Sequence, residues 1–210
     1  MHREAGKEFD IRSKGVYNEE NFEGGIFMYH TMTIAGLQRD LPICRVTDDL
    51  YIGAFVIFGD VELTESAARE LLKRAPEYDY ILTAESKGIP LAYEMSKQSG
   101  KKYFLARKMP KLYMKEVFEA TVKSITTEKI QHLYLDSDDA AAMRGKKILL
   151  VDDVISTGES LNGLEQLTQA VGGIICGRMA ILAEGAAAKR PDLTYLEELP
   201  VFNPDGTVKK

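Results

Sequence analysis

The stretch Ile148–Ser160 reads ILLVDDVISTGES: four apolar residues, two adjacent carboxylates, then small and hydroxyl-bearing residues. Four aliphatics followed by turn residues fit a strand buried on both faces of a parallel sheet. Asp152 and Asp153 then stand at its carboxyl edge, where open α/β sheets bind their ligands. On the bland reading, the acids merely end a strand and Ser156 or Thr157 caps the next helix. On the chemical reading, the small residues let backbone amides turn inward while Ser156, Thr157 and Ser160 offer hydroxyls. The following helix points its positive end at the same spot, which makes a phosphate cradle. It is not a Walker loop, since no Gly-Lys-Ser/Thr occurs in it. The acids would repel phosphate and suit hydroxyls or a ligand-borne metal, so a sugar phosphate satisfies both halves.

Working outward, Leu161, Leu164, Leu167 and Val171 share one side of a helix, and IICGRMAILA follows as a strand. A second βαβ unit lies upstream. YDYILT (Tyr78 to Thr83) reads as a strand, AESKG as a tight loop, IPLAYEMSKQS as a helix ended by Gly100, and KYFLAR as a strand. Before it, YIGAFVIF from Tyr51 reads as a strand and Thr64 as the cap of a helix carrying Ala67, Ala68, Leu71, Leu72 and Ala75. Strands alternating with helices predict an α/β fold, a parallel sheet with helices on both faces and right-handed crossovers. AESKG and DDVISTGES both fall at strand ends on one side of that sheet.

Between the two units, Lys108 to Lys147 is too long for an ordinary connection. VFEATVKSIT and KIQHLYLD flank the polar TTEK, which predicts a two-stranded hairpin that projects as a flexible lid over about 108–145. Residues 1–50 have weak periodicity and scattered charge, residues 51–200 form the core, and 201–210 a short strand and frayed tail.

Composition narrows the function. The chain has 210 residues, 45% hydrophobic and 28% charged, with formal net charge −5, so no global basic field draws it to nucleic acid or anionic membrane. No apolar run approaches the roughly 18 residues of a membrane span, and the charged N-terminus lacks a secretory h-region, which predicts a cytoplasmic protein. Cys44 and Cys176 each sit among apolar residues and read as reduced. The three histidines show no ligand spacing, so no protein-built zinc site is expected.

ILLVDDVISTGES resembles the phosphoribosyl diphosphate signature of the type I phosphoribosyltransferases across its whole length. AESKGIPLA resembles their diphosphate loop, particularly in the adenine phosphoribosyltransferase-like branch. The similarity extends over about Tyr51 to Glu184 and implies the type I fold, with residues 1–50 as a small hood. It implies that Asp152 and Asp153 bind the ribose hydroxyls of phosphoribosyl diphosphate while Ser156, Thr157, Gly158, Glu159 and Ser160 surround the 5′-phosphate. Val154 or Ile155 would touch the base. Glu85, Ser86, Lys87 and Gly88 would hold the diphosphate around a cis peptide, joined by Arg107, Lys108 and Lys111 from ARKMPK. Asp153 and Arg107 would be catalytic, as would Glu128, which stands two residues beyond the usual lid glutamate position, here Thr126. Mg²⁺ would be held by the substrate, with no ligand directly from the protein, and the protein would be a homodimer.

The implied reaction is adenine plus phosphoribosyl diphosphate giving AMP and diphosphate, with xanthine or another purine as the alternative. ESKGIPLAY also resembles the purine-operon repressors, which keep this fold as a sensor. Those carry a DNA-binding winged helix, for which the fifty residues before the first clear strand are too few and too acidic. VDD also opens the acid pocket of response-regulator receivers, but Glu197 would replace their phosphoacceptor aspartate and too little chain follows it for the remaining strands. Leu41 to Val46 is the expected wall for the base.

Overall fold

The computed structural model describes residues 28–123 and 130–209. In chain order these form β1 (Tyr29–Ile34), β2 (Leu37–Thr47), β3 (Leu50–Gly53), α1 (Val61–Leu72), β4 (Tyr80–Ala84), α2 (Gly88–Ser99) and β5 (Tyr103–Ala106). There follow β6 (Val117–Lys123), β7 (Ile130–Asp136), α3 (Ser137–Met143), β8 (Lys147–Ile155), α4 (Glu159–Ala170), β9 (Ile174–Glu184), a 3₁₀ turn (Gly185–Lys189), β10 (Thr194–Leu199) and β11 (Val201–Phe202).

The five-stranded sheet has the order β10-β9-β8-β4-β5, and every neighbouring pair is parallel. β8 explains why. Its residues Ile148 to Val151 are buried, and successive side chains enter opposite cores. Leu149 and Val151 pack with Leu63, Leu71, Leu91 and Met95 of α1 and α2. Ile148 and Leu150 pack with Leu161, Leu164 and Leu167 of α4 and Met143 of α3. The chain runs outward from β4 to β5, returns to β8 on the other side of β4, and continues outward through β9 to β10. The crevice therefore opens where that order reverses, beyond β4 and β8.

A second, antiparallel sheet, β1-β2-β3-β11, forms the hood. β1 exposes alternate residues, the pattern of a half-solvated strand. YIGAFVIF is only partly a strand: β3 ends at Gly53, level with Ile43 of β2, and the chain then leaves the sheet. Phe55 and Ile57 still bury themselves in the core while Val56 and Phe58 stay exposed. The tail is a correction too. It folds back, with Lys209 N donating to Val201 O at 2.8 Å and Asn203 N to Thr207 O at 2.8 Å.

The first helix begins earlier than its periodicity suggested. Asp60, not Thr64, is the N-cap and accepts from Leu63 N at 3.1 Å, while the Thr64 hydroxyl donates back to Asp60 O at 2.7 Å. Arg39 of β2 grips the same carboxylate through Nε and Nη2 at 2.6 and 2.9 Å, joining hood to helix. That hydrogen bond holds the Asp60 carboxyl below the ordinary aspartate range. Asp60→Ala is expected to lower unfolding stability in urea by about 1–2 kcal/mol at neutral pH, since cap and ion pair vanish together. The difference from the parent should shrink as pH falls below about 4, where the unfolded carboxylate takes up its proton, and be gone once the folded carboxylate, held lower, is protonated too. Identical urea midpoints at pH 7 would show that this junction contributes nothing.

The hairpin forms as an antiparallel pair, β6 with β7. Ala120, Leu133 and Leu135 are buried in the core beside α3 and α4, so its described part is packed against the body and does not stand free. β7 also pairs with the end of β5: Arg107 N donates to Tyr134 O and Tyr134 N to Arg107 O, both at 2.8 Å. Glu128 lies outside the described residues. No described helix is long and apolar enough to cross a membrane.

Candidate functional site

Three strand ends converge on one crevice. A cavity of about 440 Å³ lies between the ends of β4, β8 and β9 and the hood segment Ile52–Val56. A smaller one of about 210 Å³ lies in the loop from β8 to α4, and Asp152 lines both.

The smaller cavity is the predicted cradle. Ser156, Thr157, Gly158, Glu159 and Ser160 line it together with Val154 and Ile155. Gly158 takes φ 79°, a left-handed conformation that glycine adopts without strain, and is itself the N-cap of α4, with no side-chain capping bond. The hydroxyls of Ser156 and Thr157 are therefore not consumed as caps. The loop places the N-terminus of α4 against a polar hollow, which suits an anion.

Asp152 at its rim and Asp153, which lines the larger cavity, are both buried. Asp152 Oδ1 accepts from Asp153 N at 2.9 Å. Burial, and then the neighbouring carboxylate, push the Asp152 carboxyl well above the ordinary aspartate range. Among the described residues Asp153 Oδ2 has no hydrogen bond, although Lys87 Nζ stands 3.1 Å away as an ion pair. Charge is thus balanced there while a lone pair is left for a hydroxyl donor or a cation.

The loop from β4 to α2 approaches the acids from the other side. The Glu85–Ser86 peptide is cis, as the resemblance implied. Ser86 does not cap α2; Lys87 occupies that position without a side-chain capping bond, and the helix N-terminus lies beside the crevice that Ser86 and Lys87 line. Gly88 is there for space: a Cβ on it would lie 2.2 Å from Thr83 Oγ1 and 2.8 Å from Asp152 Oδ1. Among the basic residues, Lys87 and Lys108 line the larger cavity. Arg107 is tethered beside it, its Nη1 3.3 Å from Glu85 Oε1, while Glu85 Oε2 accepts from Lys108 N at 3.0 Å. Those bonds, the Lys108 amide first, hold the Glu85 carboxyl below the ordinary glutamate range. Lys111 adds its charge to the same carboxylate. The Glu85 side chain therefore faces cations, which differs from a direct anion contact.

Sequence reasoning missed the opposite wall. Phe55, Val56 and Leu199 line the cavity with Val154, while Leu41 to Val46 do not. That segment lies in β2, one strand back from the crevice. Glu184, the last residue of β9, also lines it and was not singled out. The rule that ligands lie at strand carboxyl ends would have found it in ILAEG had it been applied to β9 as well. Among the described residues, no group of three acidic, histidine or cysteine side chains could hold a metal ion by itself.

The model of the phosphoribosyl transferase domain matches residues 59–203. The adenine phosphoribosyltransferase of Thermotoga sp. strain RQ2 is 33% identical over 121 residues, 58% of this chain and 63% of that protein. A hypoxanthine/guanine phosphoribosyltransferase of Methanosarcina acetivorans is 31% identical over 128 residues, 60% of this chain and 64% of that protein. The chain thus spans less than two thirds of each of these relatives. The crystal structure of adenine phosphoribosyltransferase from Thermoanaerobacter pseudethanolicus superposes with a TM-score of 0.59, at 18% identity over 68% of this chain and 84% of that one, a likeness of fold.

Proposed function

Because the chain belongs to the phosphoribosyl transferase domain family, we propose that it transfers phosphoribose from phosphoribosyl diphosphate to a purine, adenine first, releasing the nucleoside monophosphate and diphosphate. The observation that carries this reading is the pair of adjoining hollows that share Asp152, one a polar hollow at the N-terminus of α4 and the other roomy and part-apolar.

A substrate fitted to that pair has its 5′-phosphate on Ser156–Ser160, its ribose hydroxyls on Asp152 and Asp153, and its diphosphate on the amides of Ser86, Lys87 and Gly88. The base nitrogen attacks the anomeric carbon as the bond to diphosphate breaks. Positive charge grows on the sugar and negative charge on the leaving group. Arg107 and Lys108 meet the leaving charge, and Glu85 acts by holding the Arg107 guanidinium and the Lys108 amide in place. Asp153 steadies the ribose close to its cationic centre. Val154 and Phe55 offer apolar contact to a planar ring. Glu128, which lies outside the described residues, would assist the departing or attacking group.

Asp153 Oδ2, a buried carboxylate oxygen ion-paired with Lys87 and without a hydrogen bond among the described residues, suits the hard, oxygen-preferring Mg²⁺ or hydroxyls bound to it. When bound, Mg²⁺ supplies neutralisation of the diphosphate charge, with Asp152 and Asp153 the residues that would hold it on the protein side. We also read the exposed Met109, Leu112 and Tyr113 beside Lys108 as part of a homodimer contact. The charge pattern and free cysteines suit a cytoplasmic setting.

The test is chromatographic: purified protein, phosphoribosyl diphosphate and Mg²⁺ with adenine, hypoxanthine, guanine, xanthine, uracil and orotate in turn. AMP and diphosphate are expected from adenine. A product from another purine instead, which the Methanosarcina relative makes the second reading, would reassign the base. Calorimetric binding of phosphoribosyl diphosphate without consumption of any base would overturn catalysis and favour a sensor.

A further inference from the structure

The proposed reaction has a direction, and the crevice has a matching one. At the anomeric carbon the attacking base and the departing diphosphate occupy opposite faces. The diphosphate loop ends β4, and the ribose-binding acids end β8. The next strand across is β9, so the base falls over the end of β9 and under the hood. There the cavity wall includes Phe55, Val56, Val154 and Leu199, apolar surfaces suited to a flat ring, and the ionisable Glu184 lines the same cavity. Its neighbours in the sheet register are Ala183 in sequence, beside Ile155 of β8, and Leu199 of β10.

Glu184 is half-buried, and among the described residues no hydrogen-bond donor is found on its carboxylate. Lys87 is the cation whose field reaches it, but that ammonium is engaged by Asp153 Oδ2 at 3.1 Å and Phe55 O at 3.5 Å. A carboxylate withdrawn from water and left without a donor is costly unless a ligand supplies one. Burial accordingly raises the Glu184 carboxyl above the ordinary glutamate range.

Resting on the phosphoribosyl-transfer reading, we propose that Glu184 is a specificity-determining residue, its carboxylate accepting a hydrogen bond from the exocyclic amino group of a 6-aminopurine. Hydrophobic walls alone discriminate weakly between rings of one shape, whereas a buried acceptor discriminates against a ring that cannot donate to it.

The experiment pairs a residue change with a ligand change. kcat/KM is measured for adenine and for unsubstituted purine, which lacks the 6-amino group, in the parent, Glu184→Gln and Glu184→Ala, together with calorimetric binding of phosphoribosyl diphosphate. The parent is expected to prefer adenine at least about tenfold. In Glu184→Ala the preference should fall to within about twofold, chiefly through the KM of adenine, with phosphoribosyl diphosphate binding unchanged. That unchanged binding also reports a folded variant; should the alanine protein not fold, Glu184→Gln carries the test, and its preference should drop below the parent's. An adenine preference that survives in the variants, or a loss that falls equally on phosphoribosyl diphosphate, would overturn the proposal while the transferase reading stood. A parent that turns over neither purine would overturn both.

Discussion

Replacing Asp152 and Asp153 together by asparagine is expected to weaken phosphoribosyl diphosphate binding at least about 100-fold, because two charge-assisted hydrogen bonds are lost at about 1.5–3 kcal/mol each. The fold should be unharmed, and more stable at alkaline pH. The two carboxylates are nearly buried side by side, and burial holds the Asp152 carboxyl above its ordinary range. Ionising such a group opposes folding once pH exceeds the unfolded value of about 3.9, and does so in full above the folded value. The penalty fades as pH falls back between those limits. The thermal midpoint of the double variant should therefore exceed the parent's at pH 9 and converge on it towards pH 4. Undiminished affinity in calorimetry would remove the acids from the site.

Gly88→Ala should be nearly as damaging by a purely steric route. The new methyl would lie 2.2 Å from Thr83 Oγ1 and 2.8 Å from Asp152 Oδ1, and Thr83 is fully buried. Helix α2 must back away from β4 and β8, carrying with it the amides of residues 86–88 and the Lys87 ammonium that balances Asp153. A displacement approaching 1 Å in a catalytic constellation lowers turnover about 100-fold. Stability should fall by about 1–3 kcal/mol from overpacking, moderated by alanine's better helix propensity. Parent-like turnover would mean that the loop tolerates the shift and does not need its tight seat.

These two sites were legible because their chemistry is local. ILLV is apolar without alternation since β8 is covered on both faces, and the small residues after Asp153 announce a turn that must present amides. The hairpin was legible for the same reason, each strand carrying its own β-rich run. What stayed hidden depends on contacts distant in sequence. Thr64 and Asp60 are both plausible caps, and the choice falls to Asp60 because Arg39, far upstream, takes the same carboxylate. Phe55 and Leu199 become one wall only because β3 and β11 pair across most of the chain. Glu184 looks like any acid at a strand end until Lys87 is seen to be engaged elsewhere.

The pairing of β3 with β11 also bears on biosynthesis. Tyr51 and Ile52 leave the ribosome early, yet their partners Phe202 and Val201 are among the last described residues to appear. Until then β3 has a bare edge, and the hood side of the larger cavity is incomplete. Closing so long a loop is slow. A nascent chain can therefore order the loop between β8 and α4 before the hood closes over the crevice, and the unfinished edge of β3 is where it would be open to a chaperone or to a neighbouring nascent chain.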